Sequence, residues 1–185
     1  MVRRIEGYVI VSEDGKLADA NGEMPNSIKN DADQRFFQAE LDRAAAIVHG
    51  RHSHEGGPRA GGRKRLIVTR QIAAIAPDAQ YPNALLWNPS GATLAAALDR
   101  LGAGDGTVAV IGGPEVFSLF LPLYDAFHLS HASKASIPGG QMPFTEAGPG
   151  VSPDDVLRRH GFEPGPPRDL DKEAGVFVVT WQRRR

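Results

Sequence analysis

"AVIGGPEVF", residues 109–117, is the stretch from which the fold is read. From Val108 to Ile111 the chain is apolar, then come two adjacent glycines, a proline and an acidic residue. That order reads as the end of a buried strand, a tight turn and the start of a helix. Pro114 suits the first helical turn, where its missing N–H would have had no partner. Two readings of Gly112 and Gly113 stand side by side: a plain tight turn, or a turn whose exposed N–H groups and close backbone approach cradle a phosphate. The pattern is neither GxGxxG nor a P-loop. "GAGDG" at 102–106 precedes a strand, so it reads as a loop.

Outward from this stretch, short apolar runs alternate with helical patterns. Strands are expected at "EGYVIVS" (6–12), "AIVHG" (46–50), "RLIVT" (65–69), "ALLWN" (84–88), "TVAVIG" (107–112), "AFHLSHA" (126–132) and "GVFVVTWQ" (175–182). Helices are expected at "DADQRFFQAELDRAAAIV" (31–48), with Phe37, Leu41, Ala45 and Val48 on one face, at "GATLAAALDRLGA" and at "PEVFSLFL". Asp31 or Asp33 supplies the cap of the first helix. Strands separated by helices imply an α/β fold: one domain over 1–185, a mostly parallel central sheet with helices on both faces, and an antiparallel C-terminal edge strand. Segment 134–172, rich in Pro and Gly, reads as an irregular excursion. Ligands of such sheets sit at the carboxyl ends of the strands, which groups the loops after residues 12, 49, 69, 111 and 131 around one cleft.

The 185 residues are 41% hydrophobic and 23% charged with a net charge of -1, an ordinary globular balance that points to no nucleic-acid or membrane partner. No cysteine is present, which excludes disulfides and thiolate chemistry and fits a cytoplasmic setting. The N-terminal apolar run is too short for a signal peptide, and the closing arginines read as a solvated tail.

Three further features carry chemistry. "GRHSHE" (50–55) places an arginine and a hydroxyl after a strand-ending glycine, and "VTR" (68–70) repeats the combination at the next strand end. Together with the glycine turn they suit a ligand with several phosphates. His49, His52, His54 and Glu55 invite a metal reading, but no HExxH or cysteine set accompanies them, and His128 and His131 would face opposite sides of a strand; no metal is expected. In "NDADQRFF", Asp33 and Phe37 share a helix face, so that a carboxylate could meet a basic heterocycle; equally, the acids charge the helix start and the phenylalanines are core.

In this order the pieces resemble dihydrofolate reductase and its wider superfamily, which includes the riboflavin-pathway pyrimidine reductases. The resemblance runs nearly the whole chain, through "MP", "D...F" on the first helix, "GRHSHE", "GRK", "VIGGPEVFSLFLP", "LSH" and the basic ending of the last strand. It implies NADPH as cofactor. Ile111, Gly112, Gly113, Glu115 and Val116 match the coenzyme turn, with the glycine pair joined by a cis peptide. Gly50, Arg51, His52 and Ser53 match the cofactor-phosphate segment; Thr69 and Arg70 match the strand end that holds the 2'-phosphate. Ala18 and the stretch Asn21 to Met24 match the loop that closes over the nicotinamide, with Met24 at the substrate. Asp33 matches the catalytic carboxylate, with Asp31 as its rival because two additional residues follow "MP". Ser130 matches the hydroxyl beside it, Phe37 an aromatic wall, and Arg63 the position that holds the glutamate carboxylate in the folate enzymes.

Asn26 replaces a usual Trp, Phe117 stands where Tyr is common, and "GGPRAGG" is poor in the apolar residues that grip a folate tail. The cofactor features are better kept than those for substrate. The resemblance thus implies an NADPH-dependent reductase of a small pterin- or pyrimidine-like heterocycle, monomeric or homodimeric. Two alternatives stand beside it: the reductase acting on a ribosylated aminopyrimidine phosphate in riboflavin synthesis, and a non-catalytic nucleotide-binding protein on the same scaffold.

Overall fold

The structure, a computed structural model, describes residues 3–184. Strand β1 is Arg3–Ser12, helix α1 Asp31–Arg43, β2 Ala46–Gly50, β3 Arg65–Val68, β4 Ile75–Pro77 and β5 Ala84–Trp87. Helix α2 (Leu94–Leu101) leads to β6 (Gly106–Val110), and α3 (Pro114–Leu119) to β7 (Ala126–Ala132). Helix α4 (Pro153–Arg159) precedes β8 (Phe162–Pro164), β9 (Arg168–Asp171) and β10 (Val176–Arg183).

The sheet runs β4-β5-β3-β2-β6-β1-β7-β10-β8, and β9 also pairs with β10. The six strands from β5 to β7 are parallel, so their carboxyl ends share one edge. Strands β4 and β10 are antiparallel to their neighbours, β5 and β7. The α/β fold with a mostly parallel sheet and antiparallel flanks is therefore the one expected. The closing strand differs in one respect. Strands β8 and β9 pair along the far side of β10, which places β10 one position inside the edge.

Period-two alternation distributes the core over two faces. On one face Val11, Val48, Leu66, Val108 and Val110 meet Leu98 of α2, Phe117 of α3 and Leu157 of α4. On the other, Tyr8, Ile47 and Ala109 meet Leu41 of α1, with Phe36 and Phe37 packed alongside.

The first helix ends at Arg43, and not at Val48. Ala44 is extended, and Ala46–Gly50 is a strand between β3 and β6, so Ala45 and Val48 leave the helical face. Three alanines carry no signal against the helix, but pairing two β-branched residues between parallel strands outweighs extending it. The cap is Asn30, whose side-chain oxygen accepts the N–H groups of Ala32 and Asp33, rather than either aspartate. Segment 134–172 is more regular than expected. Ser152 and Asp155 close a capping box on α4, with Pro153 in its first turn. Arg183 and Arg184 are not a free tail: Arg183 donates to the carbonyls of Leu121, Tyr124 and His160, and Arg184 pairs with Glu163. Met1, Val2 and Arg185 lie outside the described residues.

Candidate functional site

The parallel pairing of β6 with β2 extends one residue beyond Val110, through the N–H of Ile111 to the carbonyl of Val48 at 3.0 Å. The chain then turns on Gly112, whose φ of +115° lies where glycine is favoured, and the Gly112–Gly113 peptide is cis. Phe117 N–H donates to the Gly113 carbonyl at 2.8 Å and opens α3. The end of β2 is drawn against this turn, since Gly50 N–H donates to the Gly112 carbonyl at 2.7 Å. Space here is scarce. A Cβ on Gly113 would stand 3.2 Å from Ser53 Oγ, and one on Gly50 would stand 3.4 Å from Val116 Cγ2. Gly50, Ser53, Gly112, Gly113 and Val116 are thus brought together.

At the next strand end, Thr69 is buried and its hydroxyl accepts the N–H of Gln71 at 3.2 Å. Arg70 extends into solvent 3.5 Å from the equally exposed Glu115, linking the end of β3 to the start of α3. Arg51 and His52 are exposed on the loop after β2, with no ion pair among the described residues. Glycines that let the strand end and the turn pack together, with arginines and hydroxyls at adjoining strand ends, form a donor set that could hold a polyphosphate coenzyme.

On the α1 face, Asp33 is buried in the first helical turn while Asp31 is exposed. Burial pushes the Asp33 carboxyl above its ordinary value, and the hydroxyl of Ser130, itself buried in β7, opposes that by hydrogen bonding. Of the two rival aspartates, Asp33 is the one buried beside Ser130. One turn further along α1, Phe37, like Ile111, packs against the Tyr8 and Leu41 cluster. Ala18 is buried and bridges to Gln141, so the loop after β1 is laced to segment 134–141. Three backbone bonds complete the lacing: Glu13 to Ala135, Leu17 to Gln141 and Gln141 to Ala18. Met24, on the same loop, is 39% exposed.

Arg63 is placed otherwise than a free anchor. Its guanidinium donates to Asp42 at 2.6 Å, Gln38 at 2.8 Å and Glu55 at 3.2 Å, and its side chain is 9% exposed. Beneath it lies a network that the sequence did not reveal. Arg65 is fully buried, pairs with both oxygens of Glu55, and also holds the Ala60 carbonyl. His49 donates from Nδ1 to the Gly50 carbonyl at 2.7 Å, which turns its other nitrogen toward Arg65 at 3.4 Å. An arginine opening an apolar strand ten residues after a glutamate was the one available signal. Burial holds the His49 imidazole below its ordinary pKa. Among the described residues no group of three or more histidines or acids is placed to hold a metal ion. His128 and His131 do face opposite sides, stacking on Tyr8 and Phe177 respectively.

Compared with known proteins, the sequence matches the family described as Dihydrofolate reductase over residues 7–146. No curated protein sequence matches it significantly. Its structure is similar to that of a Shewanella sp. PV-4 protein named for riboflavin biosynthesis, with TM-score 0.66 and 19% identity over 98% of this chain and 99% of that one. It is also similar to a Thermotoga maritima diaminohydroxyphosphoribosylaminopyrimidine deaminase/5-amino-6-(5-phosphoribosylamino)uracil reductase, with TM-score 0.66, 16% identity and coverage of 99% of this chain and 57% of that one. A third similar structure is Enterococcus faecalis dihydrofolate reductase complexed with NADP(H) and RAB-propyl, with TM-score 0.67, 17% identity and coverage of 98% of this chain and 97% of that one. At these identities the likeness is one of fold.

Proposed function

Since the chain belongs to the dihydrofolate reductase family, we propose that it binds NADPH and reduces a pterin- or pyrimidine-like heterocycle. The observation that carries this reading is Asp33, a carboxyl buried beside Ser130 on the α1 face of a sheet whose carboxyl edge bears the glycine turn, its pKa raised by that burial. The coenzyme, when bound, supplies the hydride. Gly50, Arg51, His52, Ser53 and the turn at Gly112 and Gly113 receive its pyrophosphate, lined by Ile111, Glu115 and Val116. Thr69 and Arg70 take the 2'-phosphate. Ala18 and Met24 belong to the loop that excludes water over the reacting rings, and Phe37 orients the heterocycle. Asp33 retains a proton to higher pH than an ordinary aspartate and so holds one for the ring nitrogen, directly or through water, while Ser130 fixes its orientation.

The engagement of Arg63 by Asp42, Gln38 and Glu55 favours a second reading of the substrate. A guanidinium with three partners is poorly placed to receive a carboxylate tail, which supports an aminopyrimidine over a folate. The test is fluorescence titration with NADPH and NADH, followed by loss of the reduced-nicotinamide absorbance against dihydrofolate and a set of ribosylated aminopyrimidines. Oxidation with one of them is expected. Absence of NADPH affinity refutes the proposal, and binding without oxidation by any candidate leaves a non-catalytic nucleotide-binding scaffold.

A further inference from the structure

On the α1 side of the sheet a cavity of about 1060 Å³ opens between α1, β7, β10 and the proline-rich connection from β8 to β9. None of its lining residues belongs to the coenzyme or Asp33 groups described above. His128 and Thr180, in register on β7 and β10, form its floor, and Phe36 lies along one wall.

The floor is held rigidly. Glu6 Oε2 accepts from His128 Nε2 at 2.8 Å and from the Tyr8 hydroxyl at 2.9 Å, while Tyr8 stacks on the imidazole with ring centres 4.5 Å apart. The other ring nitrogen, Nδ1, lies 3.0 Å from the Thr180 hydroxyl, so both nitrogens of His128 are engaged. The polar groups that face the cavity are therefore preorganised.

Its charges do not cancel. Glu40 is paired with Arg43, Glu163 with Arg184, and His128 with Glu6. Arg183 is committed to three backbone carbonyls. Arg168 remains. It has no carboxylate partner among the described residues and lies over the Phe36 ring at 5.1 Å. A guanidinium held over an aromatic ring finds no hydrogen-bond acceptor there, which leaves its N–H groups for an acceptor in the cavity. Phe36, Val178 and Pro164 supply an apolar part of the wall, and Gln182 adds an uncharged amide.

We propose that this cavity is a second binding site, for a small planar aromatic carboxylate whose charge meets the edge of Arg168 and whose ring fills the space bounded by Phe36, Val178 and Pro164. The test is fluorine NMR titration of the full chain with 4-fluorobenzoate. Saturable broadening is expected, weakened about tenfold or more in Arg168→Ala, the loss of one charge-assisted contact. Arg168 is exposed, so unchanged circular dichroism and melting are expected to show that this variant folds. The Arg70→Ala variant should bind the probe as wild type does, and 4-fluorobenzylamine should not bind. Inorganic phosphate should compete weakly if the ring contributes. The proposal is overturned if the wild type shows no saturable binding, if Arg168→Ala binds equally well, if the amine binds as the acid does, or if NADPH or an antifolate displaces the probe. Failure of NADPH to bind at all would refute the coenzyme assignment and leave these arms intact.

Discussion

Asp33 occupies the first turn of α1, where a negative charge is ordinarily favoured, yet its side chain is withdrawn from water. Desolvation prevails over the Ser130 hydrogen bond, and the carboxyl pKa rises. Asp33→Asn should leave NADPH affinity unchanged by fluorescence while turnover falls by about a hundredfold or more, the usual weight of acid–base assistance. The same substitution has an opposite effect on stability. A carboxyl whose pKa is raised by folding binds its proton more tightly in the fold than in the unfolded chain. Its stabilising contribution is full below the unfolded value and is lost as pH rises through the folded one. Near neutral pH, Asp33→Asn should therefore melt at a higher temperature than wild type, and the gap should close as pH falls below the ordinary 3.8. A variant less stable at neutral pH would contradict the raised pKa. Arg70 tests the other side of the site. Arg70→Ala should weaken NADPH by about tenfold to a hundredfold, one or two charge-assisted hydrogen bonds, with little change for NADH. Equal losses would remove Arg70 from the 2'-phosphate. Glu115, 3.5 Å away, competes for the guanidinium, so Glu115→Gln should shift the preference further toward NADPH.

The segment from β2 to β3 shows how an element without regular structure is held in place. Its two ends are adjacent parallel strands, and Arg65 at the start of β3 reaches back to Glu55 and to the Ala60 carbonyl. Both charges are almost wholly buried, with side chains 1% and 2% exposed. Replacing Glu55 with alanine leaves a buried guanidinium unpaired, at a cost of about 3–5 kcal/mol. Thermal unfolding should fall by roughly 6–20 °C for a chain of this size. Arg51, His52 and Ser53 stand on the same segment, so NADPH affinity should weaken at temperatures where Glu55→Ala is still folded; retained affinity would make the strut purely structural. The sequence exposed part of this element and hid the rest. "GRHSHE" was readable because a strand-ending glycine followed by donors is a local pattern. The ion pair was not, because a charge in a strand gives no sign of the partner that will neutralise it. The same distinction separates α3, announced by Gly-Gly-Pro-Glu, from β4, β8 and β9, three- or four-residue strands created by pairing with a neighbour that no local pattern specifies. Strand β2 carried too little sequence of its own to mark where α1 stops.

Across the whole molecule, the parallel order β6-β1-β7 and the antiparallel return of β10 bring residues from opposite ends of the chain into one line. Glu6 of β1, His128 of β7 and Thr180 of β10 form that line through side-chain hydrogen bonds at 2.8 and 3.0 Å. The join makes the sheet sensitive to acid through a carboxylate other than Asp33. Hydrogen bonding from His128, aided by Arg4 and Tyr8, outweighs burial and lowers the Glu6 pKa from the ordinary 4.5 to about 2. A carboxyl lowered by folding stabilises above its unfolded pKa and loses that contribution as pH falls through the folded one. Burial, then the Glu6 carboxylate, then Glu40 facing Tyr8 from α1 raise the pKa of the Tyr8 hydroxyl, so Tyr8 remains a donor to Glu6 through this range. Unfolding curves measured from neutral pH to about 2 should show wild type more stable than Glu6→Gln above pH 4.5, with the difference shrinking steadily toward about 2. Parallel curves would mean that Glu6 titrates alike in the folded and unfolded chains, and the three-strand junction would then be held by packing of Tyr8 on His128 and not by charge.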